Sequence, residues 1–128
     1  MTIYFYSARE VPYGCFSNFS RHGFAMDGVY YKTSEHYFQA MKFQHSPPDM
    51  EAVRRAATPK EAARIGRERS RPLRADWETV KDDVMRAGVL AKFETHAEIR
   101  ALLLETGDEE IVENAPRDDY WGCGADGT

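Results

Sequence analysis

The chain has 128 residues, of which 42% are hydrophobic, and its 17 Lys and Arg against 21 Asp and Glu give a formal net charge of −4. This length suits one domain with its own core, and the negative charge argues against unselective binding to nucleic acid while leaving room for a local phosphate site. No long apolar run or signal-peptide pattern is present, so we expect a cytoplasmic protein that does not contact a membrane.

The first thirty residues carry the signals of β-structure. The stretch TIYFYSA alternates and is rich in Ile, Tyr and Phe, which predicts a strand. In GFAMDGVYY, the pair Asp27-Gly28 stands between two apolar runs and predicts a two-residue hairpin turn. A small N-terminal hairpin or sheet is therefore expected.

From Thr33 onwards the spacing of apolar residues becomes helical. Thr33 or Ser34 can cap the free amide groups of the first helix. Ser46 followed by Pro47 predicts the start of a second helix, because proline suits the first helical position. Both starts are predicted from the cap residues alone.

Three further helices are predicted downstream. Thr58 and Glu61 form a capping box, Asp76 precedes the periodic stretch WETVKDDVMRAGVLAKF, and Thr95 and Glu98 form another capping box. The segment EEIVENA then predicts a short strand. These elements add up to an α+β fold that is mainly helical.

A polar row lies on the first predicted helix, KTSEHYFQAMKF. Glu35, Phe38, Gln39 and Lys42 share one face at spacings of three, four and seven residues. Glu35 is explained either as a surface carboxylate favoured by the helix dipole or as part of a pocket. Since the other faces are apolar, the helix is expected to be buried and the row to line a pocket. There Glu35 would serve in proton transfer, with Lys42 or an arginine holding it ionised.

The segment ARIGRERSRPLR contains five arginines and one glutamate. The usual explanation of such a run is a solvated helix face. The alternative is a phosphate clamp made by Arg67, Arg69 and Arg71, because guanidinium groups bind phosphate oxygens in bidentate fashion. The sequence leaves both interpretations open.

Aromatic and acidic residues near the C-terminus add candidates. Trp77 and Trp121 are either core residues or platforms for a heterocyclic base. Asp118 and Asp119 are either solvated loop residues or the source of a second carboxylate that works with Glu35 in glycosidic cleavage. The motifs GxGxxG, GxxxxGK[ST], HExxH and GxSxG are absent, so we expect no cofactor and no metal.

Four stretches, in order, carry a resemblance that covers nearly the whole chain: FSNFS at 16–20, TSEHYFQAMKF at 33–43, residues 62–107, and DDYWGCG at 118–124. They resemble the NADAR family, and within it the YbiA-like N-glycosidases. The resemblance implies a mainly helical α+β fold forming a single domain over residues 1–128. The family usually continues into a final helix, which a chain ending at Thr128 is expected to lack.

The activity that the resemblance implies is hydrolysis of a bond from ribose C1′ to nitrogen. YbiA-like members are linked to ribosylaminopyrimidine 5′-phosphate intermediates of riboflavin biosynthesis, whereas other members remove ADP-ribose from guanine in nucleic acid. The expected partner is a phosphorylated ribosyl small molecule, with ADP-ribosylated guanine or DNA as the alternative. Two further alternatives are a non-catalytic module that binds ADP-ribose or a nucleotide, and a structural interaction domain.

The resemblance also implies roles for individual residues. The family's active-site glutamate falls on Glu35, its tryptophan on Trp77, and its acidic loop residue on Asp118 or the adjacent Asp119. Glu35 would activate water or stabilise positive charge on the sugar, Asp118 would position ribose or water, and Trp77 would stack on the leaving heterocycle. The residues expected to bind substrate are Phe16, Asn18, Gln39, Lys42, Arg67, Arg69 and Trp121.

Overall fold

The computed structural model describes residues 3–5, 13–107 and 111–113. In chain order the elements are β1 (Ile3–Phe5), a 3-10 helix (Tyr13–Phe16), β2 (Phe24–Met26), β3 (Val29–Tyr31), α1 (Ser34–Met41), α2 (Pro47–Arg54), α3 (Pro59–Gly66), α4 (Trp77–Thr95), α5 (Ala97–Glu105) and β4 (Ile111–Glu113). The fold is α+β and mainly helical, which confirms the fold class predicted from the sequence.

The four strands form two separate two-stranded sheets. Strands β2 and β3 make the predicted antiparallel hairpin, and its turn residues Asp27 and Gly28 have φ angles of 52° and 80°. Positive φ at both positions is what a tight turn between twisted strands needs. Strand β1 pairs in parallel with β4, with Ile3 opposite Ile111. The two strands predicted in TIYFYSA and EEIVENA are therefore confirmed, and they pair with each other.

Two of the predicted helix caps are confirmed. The Thr33 hydroxyl oxygen accepts a hydrogen bond from the His36 backbone N–H at 3.0 Å, and Thr58 does the same for Glu61 at 3.1 Å. Ser46 occupies the expected cap position before Pro47, but its hydroxyl donates to the Asp49 carboxylate at 2.9 Å. The predicted capping role of Ser46 is therefore wrong, because the nearby carboxylate takes the hydroxyl.

The predicted capping box at Thr95 and Glu98 is also wrong. Helix α4 continues through Thr95, and the break between α4 and α5 falls at His96, whose φ and ψ are −114° and 97°. The Glu98 carboxylate instead lies near the rings of His22 and His96, at 3.8 and 3.6 Å. The prediction failed because α4 continues through Thr95, the residue that was expected to begin the next helix.

Helix α1 lies at the centre of the helical layer and packs against α2, α3 and α4. Seven of its eight residues are buried and the eighth, Glu35, is partly buried, so the polar row predicted on the helix runs from a partly exposed carboxylate into the interior. The main core comprises Phe24, Tyr31, Tyr37, Phe38, Ala40, Met41, Phe43, Val53, Ala56, Ala62, Ile65, Trp77 and Val84. A smaller cluster of Phe16, Phe93 and Ile99 packs where the 3-10 helix meets α4 and α5. None of the helices in the described ranges is both long and apolar enough to cross a membrane.

Candidate functional site

The polar row of α1 is held together by its own side chains. Gln39 Nε2 donates to Glu35 Oε2 at 2.7 Å, one helical turn away, as the spacing of four residues predicts. The Glu35 backbone N–H donates to the Asn18 carbonyl oxygen at 3.1 Å. Glu35 is partly buried and lies in the first turn of α1, where the helix dipole favours its negative charge.

Gln39 is fixed from two sides. Its side chain is 6% exposed, and its Oε1 atom is buried with no hydrogen-bond partner in the part of the chain that the structure describes. A Cβ atom added at Gly66, the last residue of α3, would come within 1.9 Å of that oxygen. The absence of a side chain at Gly66 therefore makes room for the Gln39 amide to face Glu35. A buried acceptor left unpaired costs about 1–3 kcal/mol, a cost that proteins tolerate at functional sites.

Lys42 continues the row at the end of α1. Its side chain is buried, and Nζ lies 3.4 Å from the Gly66 carbonyl oxygen and about 6 Å from the ring centroids of Phe38 and Trp77. Burial, together with the positive charge of Arg69, lowers the pKa of Lys42 to about 8, and the Glu35 carboxylate opposes the shift. Lys42 therefore belongs electrostatically to the same site as Glu35.

Among the described residues, three arginines of the segment form ion pairs and two do not. Arg64 pairs with Glu61 and Glu68, Arg71 with Asp49 and Glu68, and Arg74 with Asp76. Within residues 13–107, neither Arg67 nor Arg69 takes part in an ion pair.

Arg67 and Arg69, which form no ion pair within residues 13–107, lie close enough to the polar row for their charges to act on it. Arg69 Nη2 donates to the Gly66 carbonyl oxygen at 3.2 Å, so Arg69 and Lys42 share one acceptor. Both Arg67 and Arg69 lower the pKa of Lys42 through their charge. Arg71 is engaged by two carboxylates, which disfavours the phosphate role that the sequence suggested for it. A phosphate contact of Arg67 and Arg69 stays a prediction.

Asn18 joins the FSNF loop to the start of α1. Its Oδ1 atom accepts a hydrogen bond from the Ser34 hydroxyl at 2.8 Å, and its Nδ2 group lies 3.5 Å from the Met85 sulfur on α4. Met85 also lines an open groove of about 340 Å³ along α4, together with Asp82, Arg86 and Val89. The structure thus brings Asn18 next to Glu35, between α1 and this groove.

Two aromatic candidates are packed into the protein. Trp77 is 5% exposed and meets Phe38 edge to face at 5.0 Å between ring centroids. Phe16 is buried in the smaller cluster, 5.9 Å from the Phe93 ring centroid. Trp77 therefore lies beside Lys42, whereas Phe16 packs in a different cluster. Stacking of Trp77 on a heterocycle and a substrate contact of Phe16 stay predictions.

Three candidates, Asp118, Asp119 and Trp121, lie outside the described residues, so their roles stay predictions. The described residues include no group of three or more His, Cys, Asp or Glu arranged to hold a metal ion.

Sequence reasoning missed Lys92, whose side chain is 1% exposed and whose Nζ donates to the Ser17 carbonyl oxygen at 2.8 Å. A signal was present, because Val84, Gly88 and Lys92 follow each other at intervals of four residues along the buried face of α4.

The chain matches the model of the NADAR domain over residues 4–128. It is 55% identical over 127 residues to an N-glycosidase of Nostoc punctiforme, covering 98% of this chain and 81% of that protein. It is 38% identical over 139 residues to the chloroplastic riboflavin biosynthesis protein PYRR of Zea mays, covering 98% of this chain and 22% of that protein.

The structural comparison agrees with these matches. The Escherichia coli N-glycosidase YbiA is 51% identical over 125 residues, covering 98% of this chain and 77% of that protein. Its NMR structure matches the present one with a TM-score of 0.88, covering 99% of this chain and 74% of that one. The domain match, the sequence identities and the shared fold together establish that this chain belongs to the NADAR family.

Proposed function

We propose that the protein is an N-glycosidase that hydrolyses the ribose C1′–N bond of ribosylaminopyrimidine 5′-phosphate intermediates of riboflavin biosynthesis. The names of the relatives from Nostoc punctiforme, Escherichia coli and Zea mays support the reaction type and the pathway. The observation that carries the proposal is the polar row on α1. The hydrogen-bonded Glu35 carboxylate lies at one end of this row, and the cations of Lys42, Arg67 and Arg69 lie at the other.

The row offers different chemistry at its two ends. At one end, the Glu35 carboxylate is held by Gln39 and lies beside Asn18, where it would activate water or stabilise positive charge at C1′. At the other end, Lys42, Arg67 and Arg69 would neutralise the 5′-phosphate. A ribose 5-phosphate unit likewise has two distinct ends, the reacting bond at C1′ and the phosphate on C5′, which extend from the two carbons that flank the ring oxygen.

The reaction is a simple exchange of bonds. Water oxygen adds to C1′, the C1′–N bond breaks, and the leaving nitrogen takes a proton, which gives ribose 5-phosphate and the free aminopyrimidine. Asp118 or Asp119 would supply the second carboxylate and help position ribose or water. Trp77 would stack on the leaving heterocycle.

The test is product analysis with two substrates. The protein is incubated with a ribosylaminopyrimidine 5′-phosphate and, separately, with DNA that carries ADP-ribosylated guanine, and released sugar is followed by mass spectrometry. Ribose 5-phosphate from the first substrate supports the proposal. Free ADP-ribose from the second substrate alone would move the function to ADP-ribosyl hydrolysis, and release from neither would leave a binding or structural domain.

Replacing the Glu35 carboxylate tests whether any activity depends on the polar row of α1. Glu35→Gln keeps the size of the side chain but removes the charge, so we expect turnover to fall by about two or more orders of magnitude. Glu94→Gln makes the same change at an exposed position on α4 and should leave the rate unchanged. A folded Glu35→Gln variant with full turnover would contradict the assignment of Glu35.

A further inference from the structure

Lys92 is a buried ammonium group that the proposed reaction does not use. Its side chain is 1% exposed, and no carboxylate of residues 13–107 pairs with it. The titratable groups that face it are the Cys15 thiol and His22, and Nζ lies 5.5 Å from the centroid of the Phe93 ring. An unpaired charge in such a place is costly, so its presence calls for a reason.

The polar partner of Lys92 is the Ser17 carbonyl oxygen, 2.8 Å from Nζ and 75 positions away in the chain. That oxygen also accepts a hydrogen bond from the Ser20 backbone N–H at 3.1 Å, which closes the FSNF loop on itself. Because Ser20 already satisfies the carbonyl, the bond to Lys92 is not needed to pair it. Its effect is to fix the loop to α4.

The same loop is attached to α1 one residue later. The Asn18 carbonyl oxygen accepts the Glu35 backbone N–H at 3.1 Å, and Asn18 Oδ1 accepts the Ser34 hydroxyl at 2.8 Å. The peptide unit between Ser17 and Asn18 is planar, so holding the Ser17 oxygen also holds the Asn18 amide nitrogen. A chain of contacts therefore runs from Lys92 through Asn18 to Glu35.

We propose that Lys92 is a positioning residue, which acts through the FSNF loop to hold Asn18 and the first turn of α1 in the geometry that the Glu35 carboxylate needs. Lys92 does not itself touch the substrate. The inference rests on the proposed function for its catalytic consequence, although its structural consequence can be measured without any substrate.

The first test replaces Lys92 by methionine, which keeps the length of the side chain and removes the charge and the donor. We expect kcat to fall about tenfold or more with KM nearly unchanged, because the phosphate-binding cations are not altered. Lys60→Met, the same change at an exposed position on α3, is the matched control and should keep the wild-type kcat. An unchanged kcat in folded Lys92→Met would overturn the proposal.

A double-mutant cycle separates positioning from general packing. If Lys92 acts through Asn18, the loss from Lys92→Met should be much smaller in the Asn18→Ala background than in the wild type. Fully additive losses of kcat would mean that Lys92 acts by another route. If Lys92→Met does not fold, the comparison of Lys92→Gln with Lys92→Leu answers the same question. The glutamine amide can still donate to the Ser17 carbonyl, so Lys92→Gln should retain a higher kcat than Lys92→Leu.

Amide hydrogen exchange tests the inference independently of catalysis. In Lys92→Met, the Glu35 N–H should exchange faster than in the wild type, whereas the amides of α2 should be unchanged. Faster exchange at Glu35 with no activity in any variant would sustain the positioning role and refute the proposed function. Unchanged exchange at Glu35 would refute the positioning role even in an active enzyme.

Discussion

Under the proposed function, Lys42 is the residue whose charge should make substrate binding depend on pH. Burial lowers its pKa to about 8, so the ammonium group is mostly present at pH 7 and mostly lost at pH 9. Since the charged form attracts the 5′-phosphate, kcat/KM should fall about tenfold between these two pH values, mainly through a rise in KM. Steady-state kinetics across this range, with a phosphorylated substrate, measure the effect.

Lys92 is a second buried lysine that titrates in the same pH range as Lys42, so the pH profile of kcat/KM needs a control. The pKa of Lys92 is also lowered to about 8, by burial. The alkaline fall in kcat/KM should disappear in Lys42→Met and persist in Lys92→Met. The opposite pattern would assign the titration to Lys92 and contradict a phosphate role for Lys42.

At the scale of elements, the contact between α3 and α1 sets the orientation of Gln39. Gly66→Ala would place a methyl group 1.9 Å from Gln39 Oε1, so the amide must move and its bond to Glu35 must break. We expect kcat to fall about tenfold, a loss of roughly 1.4 kcal/mol in the transition state. In the Gln39→Ala background the clash with the amide is gone and only a 3.2 Å contact with the Cβ atom of residue 39 remains. Adding Gly66→Ala there should change kcat and the melting temperature only slightly. A large further loss there would show that Gly66 acts elsewhere.

Substitutions of the arginines in and after α3 should affect substrate binding and protein stability separately. Arg69→Gln removes a cation that no carboxylate of residues 13–107 neutralises, so KM for a phosphorylated substrate should rise about tenfold or more with little change in kcat. Arg71→Gln breaks contacts to Asp49 on α2 and to Glu68, and should lower the melting temperature without changing KM. Arg64→Gln, whose partners lie one turn away on α3 and just beyond its end, is the control for both measurements. Equal KM values for all three variants would remove the phosphate role of Arg69.

These elements also show what the sequence could and could not predict. The hairpin at Asp27-Gly28, the cap at Thr33 and the spacing of Glu35 and Gln39 depend on residues within four positions of each other, and all three are confirmed. Most of the arginine ion pairs are equally local, but the second partner of Arg71, Asp49, lies 22 positions away in the chain. The order of charged residues along the chain does not predict an ion pair between residues that only the tertiary fold brings together.

The same limit explains the two other features that the sequence did not indicate. The pairing of β1 with β4 joins strands from opposite ends of the described chain. The bond from Lys92 to Ser17 joins residues 75 positions apart. The spacing of Val84, Gly88 and Lys92 along α4 could have indicated a buried lysine but not the partner of its charge.

At the scale of the whole molecule, Lys92 is expected to raise kcat while lowering the free energy of unfolding. Its pKa falls from 10.5 in the unfolded chain to about 8 in the folded protein, and burial is the main cause. At pH 7 the folded state must hold a charge that it disfavours, which costs up to about 3 kcal/mol of the free energy of unfolding. Lys92→Met should therefore raise stability at pH 7, against the fall in kcat expected from the positioning role.

The pH dependence of this difference identifies its origin. Between about pH 8 and 10.5 the folded protein releases the Lys92 proton while the unfolded chain still holds it, so the cost of burial disappears as pH rises. The stability gained by Lys92→Met over the wild type should thus be largest at pH 7 and shrink steadily above pH 8. Urea unfolding of both proteins at several pH values measures it, and comparing them cancels the tyrosines, whose raised pKa values act on both alike. A difference that is constant with pH would attribute the gain to packing instead of charge.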